Sequence, residues 1–397
     1  MSISSAAVPS ARTTWATVPV IVGAGIVASL QVGKAAIAAP LLQTDLHLDL
    51  ASVGWLTAVF AILGALGGIP AGAVVASIGD RRILLLGLGT SALGAAGGAL
   101  ATTYAILLGS RVIEGLGFLL ITVAGPALLQ RAVSAERRNF AFALWSCFMP
   151  AGIALAMLTA PLFAGWRSYW WTSGTLAVVA LLCVTMFVPR SEARSQLSWR
   201  GLVSDAVATV RAGGPRLLAA SFALYSLMFF ALFNFLPVLL VGRMGVSLRT
   251  AGLLSAIATS ANIVGNLAAG ALLTRGVGRS TLVGVASIIM GLTSVSVFLS
   301  ILPDTPTFLL CVAFSAVGGM LPATLLATTP VAAPAARLAP VVMGLVMQGS
   351  NLGQAIGPVA VGGTIDRFGW SAAAMITGVA SLLCLVLAML IRRTVRA

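Results

Sequence analysis

Long apolar stretches, separated by short turns that carry arginine, recur along the whole chain, and no alternation of period two interrupts them. Twelve of these runs suit a helix crossing about 30 Å of hydrocarbon. They are 17–39, 53–76, 83–102, 105–128, 141–164, 170–188, 217–241, 250–273, 281–302, 307–329, 339–362 and 371–391. The missing alternation argues against a membrane β-barrel. Turns of a few residues join 83–102 to 105–128 and 281–302 to 307–329, which predicts antiparallel neighbours. The longest polar segment, 189–216, holds five arginines, Glu192, Asp205 and Gly213-Gly214-Pro215, and sits at the midpoint. It predicts a cytoplasmic linker between two six-helix bundles, 17–188 and 217–391, with a polar tail at 1–16 and a basic tail at 392–397. Within the linker, Trp199 to Val210 predicts an amphipathic helix lying on the membrane surface. The first 15 residues lack the charged start and cleavage pattern of a signal peptide.

Composition fixes the solvent. Apolar residues make up 59% of the 397, charged residues 8%, and mean hydropathy is +1.07. Soluble domains carry about 25% charged residues, so most of this surface must face lipid. The net charge of +14 does not mark a nucleic-acid binder, because the basic residues are spread over short loops. They act as topology signals. With the N-terminus inside, 17 Lys and Arg fall in inner segments and four (Arg167, Arg243, Arg249, Arg367) in outer ones. That bias puts both termini in the cytoplasm and the protein in a bacterial inner membrane. Trp15, Trp166, Trp170, Trp171 and Trp370 stand near run ends, where interfacial anchors belong. Cys147, Cys183, Cys311 and Cys384 all lie in apolar runs with no CxxC spacing, which excludes a disulfide framework or zinc site. No glycine-rich loop ends in Gly-Lys-Ser/Thr. The single histidine, His47, lies in a polar loop near Asp45 and Asp49 and reads as solvated. No enzyme, cofactor or metal reading survives.

The halves repeat. Gly54 and Gly72 match Gly252 and Gly270 at an offset of 198, and Pro40 matches Pro237 at 197. Internal repeats in helical membrane proteins mark transporters, with a binding site between the halves. The landmark of each half is a basic turn. The first is Gly72-Ala-Val-Val-Ala-Ser-Ile-Gly79-Asp80-Arg81-Arg82 and the second Gly270-Ala-Leu-Leu-Thr-Arg275-Gly-Val-Gly-Arg279. Twelve helices, a 6+6 repeat, a central basic loop and this turn resemble the major facilitator superfamily over nearly the whole chain. The family pattern is Gly-x-Leu-Ala-Asp-Arg-x-Gly-Arg-Arg. Gly72, Gly79 and Arg81 fit it; Ala76 and Ser77 replace the acid and the first arginine, and Asp80 stands in for the acid. The second copy keeps Gly270, Arg275 and Arg279, with Thr274 at the acid position. The resemblance implies that these turns gate the inner side. Arg111-Val-Ile-Glu-Gly-Leu-Gly117 resembles the family's Arg-x-x-x-Gly-x-Gly pattern, and Gly165-Trp-Arg-Ser-Tyr-Trp170 its loop after helix 5. In texture the chain is similar to bacterial cyanate-transporter-like members. A monomer is the family expectation.

Charges inside membrane spans are functional hypotheses by default, and there are three: Lys34, Arg111 and Glu114. At about 1.5 Å rise per residue, Lys34 and Arg111 fall at similar depth, and Glu114 shares a helix face with Arg111. The resemblance implies that helices 1, 4, 7 and 10 line the central cavity, where the three would meet. Their sum is +1, which suits an anionic substrate. Glu114 pairs with a base or takes up the coupled proton; alternatively the three form a structural salt bridge, since an unpaired charge in lipid costs at least about 2.5 kcal/mol. Gln31, Asn234, Gln348 and Asn351 are candidate substrate contacts, with interhelical hydrogen bonding as the other reading for the amides. Pro126, Pro150, Pro161, Pro322 and Pro358 mark kinks or hinges.

The expectation is an all-α protein that carries a small anion by alternating access, coupled to protons as a symporter. The alternative is a drug/proton antiporter; against it stand Lys34 in place of an acid in helix 1 and only Pro150-Ala-Gly152 in helix 5. A third reading is a membrane sensor that transports nothing.

Overall fold

The computed structural model describes residues 16–48, 50–159, 162–163, 165–190 and 199–394. Residues 1–15 with Trp15, 49, 160, Pro161, 164, 191–198 and 395–397 lie outside these. Among the described residues there are helices and turns but no strand. The α-helices are α1 Thr17–Ile37, α2 Ala39–Leu46, α3 Leu50–Ile78, α4 Asp80–Ala99, α5 Tyr104–Ala132, α6 Arg138–Ser146, α7 Phe148–Thr159, α8 Trp166–Phe187 and α9 Trp199–Arg211. The second half has α10 Gly213–Met244, α11 Leu248–Ser260, α12 Asn262–Thr274, α13 Arg279–Phe298, α14 Asp304–Gly318, α15 Met320–Ala332, α16 Ala339–Phe368 and α17 Trp370–Thr394.

These helices make twelve passes in chain order: α1, α3, α4, α5, α6–α7, α8, then α10, α11–α12, α13, α14–α15, α16 and α17. Among the described residues, eleven passes are long and apolar enough to cross a membrane. The remaining one is α16, 30 residues long. It carries Gln348, Ser350, Asn351 and Gln354 across its middle, and these polar side chains lower its apolarity. The side on which α1 begins and α17 ends is called the terminal side below.

Three passes are interrupted, and two of the breaks have a local cause. Pro150 has no N–H for the Ser146 carbonyl, and Pro322 none for that of Gly318; the helices break at Cys147 and Gly319. The α11–α12 pass breaks at Ala261 without a proline. At Pro126 and Pro358 the helices continue unbroken. Helix starts follow capping chemistry: the Thr103 and Ser247 hydroxyls accept from the backbone N–H of Ile106 and Thr250. The helix expected from Trp199 is present as α9, and the seventh pass begins directly after it at Gly213 rather than 217.

The tryptophans correct one expectation. Trp166 and Trp170 are buried inside the first bundle, packed with Leu42, Leu56 and Leu107, and do not form an interfacial belt. Trp171 is exposed and Trp370 half-buried. The Trp170 ring is drawn inward because α4, facing it, is thinned at Gly98, where a Cβ would meet the indole at 2.5 Å.

Between the halves, α3 lies along α16, and α6 packs on α12 and α15. The approach is set by missing side chains. A Cβ at Gly344 would collide with the Gly68 carbonyl oxygen, and one at Gly72 would sit 2.5 Å from that of Pro340. These contacts close the interface on the terminal side. Among the described residues, no hydrogen bond or ion pair joins α1 to α10.

Candidate functional site

Two constellations emerge: a sealed charge cluster in the first bundle, and a cavity between the bundles.

The charge cluster gathers α1, α3, α5 and α8. Lys34, Arg111, Glu114 and Gln31 are each 0% exposed. The Lys34 Nζ donates to Glu114 Oε1 at 2.7 Å, Gln31 Oε1 at 2.6 Å and Ser173 Oγ at 2.9 Å. That satisfies all three ammonium N–H groups. The Ser173 hydroxyl donates onward to the Trp170 carbonyl at 2.9 Å, which leaves its lone pairs for Lys34. Arg111 pairs with Glu114 Oε2 one turn along α5, and reaches the Leu56 carbonyl at 2.9 Å and the Gln31 carbonyl at 2.8 Å. Rings cover both cations: Trp170 lies 4.6 Å from Nζ and Phe60 4.3 Å from the guanidinium carbon. Gly94 of α4 admits the carboxylate, since a Cβ there would meet Glu114 Cγ at 2.7 Å. Lys34, Arg111 and Glu114 therefore do meet. They meet within one bundle and do not line the cavity between the two.

That cavity is walled by α5, α6, α7, α10, α11, α12, α15 and α16. Its rings are Phe118, Phe148, Phe222, Tyr225, Phe229 and Phe230. Its polar groups include Asn262, Ser226, Ser350, Asn351, Gln354 and Thr259. Among the described residues, no charged one lines it. Asn262 is the best fixed: its amide donates at 3.1 Å to the Tyr225 hydroxyl and at 3.1 Å to the Ser315 carbonyl. Asn266 donates to the Asn262 side-chain oxygen at 2.8 Å and locks its orientation. Ser226 and Ser350 share a hydrogen bond of 2.9 Å across α10 and α16. No residue of α1 is in the lining.

The other expected contacts separate. Asn351 lines the cavity and donates to the Met347 carbonyl at 2.8 Å. Gln348 instead bridges the bundles, donating to the Ala65 carbonyl at 2.7 Å. Asn234 is exposed and outside the lining. The ring set escaped sequence reasoning, although a signal existed: Phe222, Tyr225, Phe229 and Phe233 follow the i, i+3, i+7, i+11 spacing of one helical face.

The basic turns take different forms. Asp80 is buried and pairs with Arg131 at 3.2 Å. Arg81 caps the end of α8, donating to the Val188 carbonyl at 2.8 Å and the Thr185 carbonyl at 3.0 Å. Gly79 has φ +101°, a value glycine alone adopts readily. Ile78, Asp80, Arg82 and Arg190 flank a shallow polar recess beside it. In the second copy, Gly270 packs on Ala143 of α6. Arg275 is exposed and Arg279 half-buried, and neither forms an ion pair among the described residues.

On the side opposite the termini, Asp45 accepts from the Trp166 indole N–H at 2.9 Å and pairs with Arg167 at 2.5 Å. The Trp166 and Arg167 donors hold the Asp45 carboxyl below the usual carboxylate range.

The model of the Major Facilitator Superfamily matches residues 21–341 and 245–397. The chain belongs to that superfamily. A 3-(3-hydroxy-phenyl)propionate transporter of Escherichia coli K12 is 28% identical over 256 residues, which is 62% of this chain and 62% of that protein. A tetracenomycin C resistance and export protein of Streptomyces glaucescens is 27% identical over 171 residues, 42% of this chain and 32% of that protein. The chain thus spans less than two thirds of the length of either relative. Among solved structures, a human organic anion transporter, MFSD10, superposes with a TM-score of 0.79 over 94% of this chain and 99% of that one, at 18% identity. That likeness speaks to the fold alone.

Proposed function

We propose that this superfamily member is a secondary transporter that moves an aromatic or otherwise lipophilic organic solute by alternating access through the cavity between its bundles. The observation that carries this is the lining: six aromatic rings and several neutral amides and hydroxyls, with no charged residue. Rings offer stacking and apolar burial, while Asn262, Ser350 and Asn351 offer hydrogen bonds that fix orientation. A small inorganic anion would find no cation there, because Lys34 and Arg111 are sealed 0% exposed in the first bundle. The expectation of a small organic or inorganic anion therefore keeps only its organic form, which rings and amides could hold, and the export-type reading gains. The relative that carries tetracenomycin C resistance and export agrees with a lipophilic cargo.

A second reading is an aromatic acid. The relative named for 3-(3-hydroxy-phenyl)propionate supports it. Such a solute would place its ring among Phe222, Phe229 and Phe118 and leave its carboxylate toward the amides. In both readings, energy comes from the proton gradient through the sealed cluster. The terminal side is assigned to the cytoplasm by the basic loops, with the linker 189–216 joining two bundles that rock against each other.

Counterflow in proteoliposomes with ethidium, 3-(3-hydroxyphenyl)propionate and formate tests this. Exchange of ethidium or the aromatic acid, lowered at least about tenfold by Phe229→Ala, is the expected result. Exchange of formate alone would return the small-anion reading to first place.

A further inference from the structure

Three charges share the sealed cluster, and only some of their charge states are tolerable. We propose that Lys34, and not Glu114, is the group that takes up and releases the coupled proton. This rests on the transport reading above.

The argument is a count of states. Arginine does not deprotonate in proteins, so Arg111 is fixed at +1. Protonating Glu114 would leave two cations, Lys34 and Arg111, facing each other with no anion, all 0% exposed. Deprotonating Lys34 would instead leave one Arg111–Glu114 pair with no net charge. Buried charges persist only when paired, so the second change is the one the site permits. The present geometry is the charged state of Lys34: three acceptors at 2.6–2.9 Å take its three hydrogens. As an amine it would have two N–H donors for those acceptors, so one contact would be given up on deprotonation.

Among the described residues, no other titratable group near Lys34 competes for this role. From α5, Lys34 faces Glu114 with Arg111 behind it; from α8 it faces Ser173 and the Trp170 ring. Helix α3 contributes the Leu56 carbonyl and the Phe60 ring, both to Arg111. Neither α3 nor α7 carries a charged side chain, and the charges of α4 and α6 sit at their terminal-side ends. Asp45 of α2 is held by Trp166 and Arg167.

In the step itself, an N–H bond of the ammonium breaks, its electron pair stays on Nζ, and the proton passes to water when the bundle opens to one face of the membrane. Reprotonation from water on the other face restores the three hydrogen bonds. Net charge alternates between +1 and 0, so the cluster couples proton occupancy to the packing of α1 against α5 and α8.

The chain makes the test direct, because Lys34 is its sole lysine. Protein labelled with carbon-13 at lysine Cε, in nanodiscs, gives a single side-chain resonance that reports ammonium or amine. The expected result is a transition between those two positions within the pH range where the protein stays folded. In parallel, infrared difference spectra across the same range should show no protonated-carboxyl band that Glu114→Gln removes. A resonance that holds the ammonium position throughout, or a carboxyl band lost in Glu114→Gln, would overturn the proposal. Lys34→Arg, which keeps the charge permanently, should lose proton-driven accumulation of ethidium or 3-(3-hydroxyphenyl)propionate by at least tenfold; accumulation equal to wild type would also sink the assignment. If neither compound crosses wild-type membranes, the transport reading fails, while the resonance still decides whether Lys34 exchanges its proton.

Discussion

Glu114 is the residue on which the first bundle's interior depends most. It is the one anion between two cations at 0% exposure. Glu114→Gln leaves both unpaired, which by the cost of breaking buried pairs amounts to about 3–5 kcal/mol. Lys34→Gln removes the surplus charge and keeps the Arg111–Glu114 pair. Thermal unfolding in detergent should therefore show Glu114→Gln far less stable than Lys34→Gln; the reverse order would mean that Glu114 is not the keystone. In the cavity, Asn262→Ala removes the donor to Tyr225 and Ser315. Removing one partner of a buried hydrogen bond costs about 1–3 kcal/mol, so solute binding should weaken while the bundle still folds, measured as a raised KM for counterflow. At the opposite side of the membrane, Asp45 titrates below its unfolded value near 3.9. Its contribution is present above that pH and is lost as the pH falls through the lower folded value. Trp166 fluorescence should report that change on acidification, and Asp45→Asn should abolish it.

At the scale of helices, two glycine faces decide how the bundles meet. Gly344 of α16 and Gly68 of α3 allow backbone contact. Gly344→Leu would force α3 and α16 apart on the terminal side. The prediction is a shift of the conformational population toward the form open on that side. Cys147 is a native reporter. It is buried at the α6–α7 break, with its thiol 3.9 Å from the Ile263 carbonyl of α12, across the interface. Its maleimide labelling in a Cys183→Ser background should be faster in Gly344→Leu; an unchanged rate would mean that the glycine contact does not hold the closed form.

For the whole molecule, α9 ties the linker to both halves. It packs on α3 as well as on α10 and α16. Its Asp205 pairs at 2.5 Å with Arg337, which lies in the turn between α15 and α16. The Asp205 carboxylate raises the Arg337 guanidinium further above its usual range. When the bundles part on the terminal side, α9 must release one of them. Arg337→Ala should thus speed Cys147 labelling modestly, since a pair with one partner 54% exposed contributes little. No change at any ionic strength would remove α9 from the closing contacts.

Much of this was legible in order along the chain. Length and apolarity of the runs set twelve passes, because lipid demands internally bonded helices of a fixed span. The repeat of Gly72 at Gly270 set the two-fold organisation, and counting intramembrane charges found Lys34, Arg111 and Glu114. What one-dimensional reading left open was the side of the helix wall on which those charges fall. A position along a helix gives depth, whereas rotation about the helix axis depends on which neighbours are thin enough to accept a side chain. Gly94 and Gly98 of α4 are thin, so Glu114 and Trp170 turn into the bundle, and Lys34 follows the carboxylate. The face of α10 left toward the cavity is the aromatic one, with Phe222, Tyr225 and Phe229, so the lining is neutral and rich in rings. Sequence determined the passes, the repeat and the inventory of charges; packing between helices decided that the charges are sealed and that the rings face the cavity.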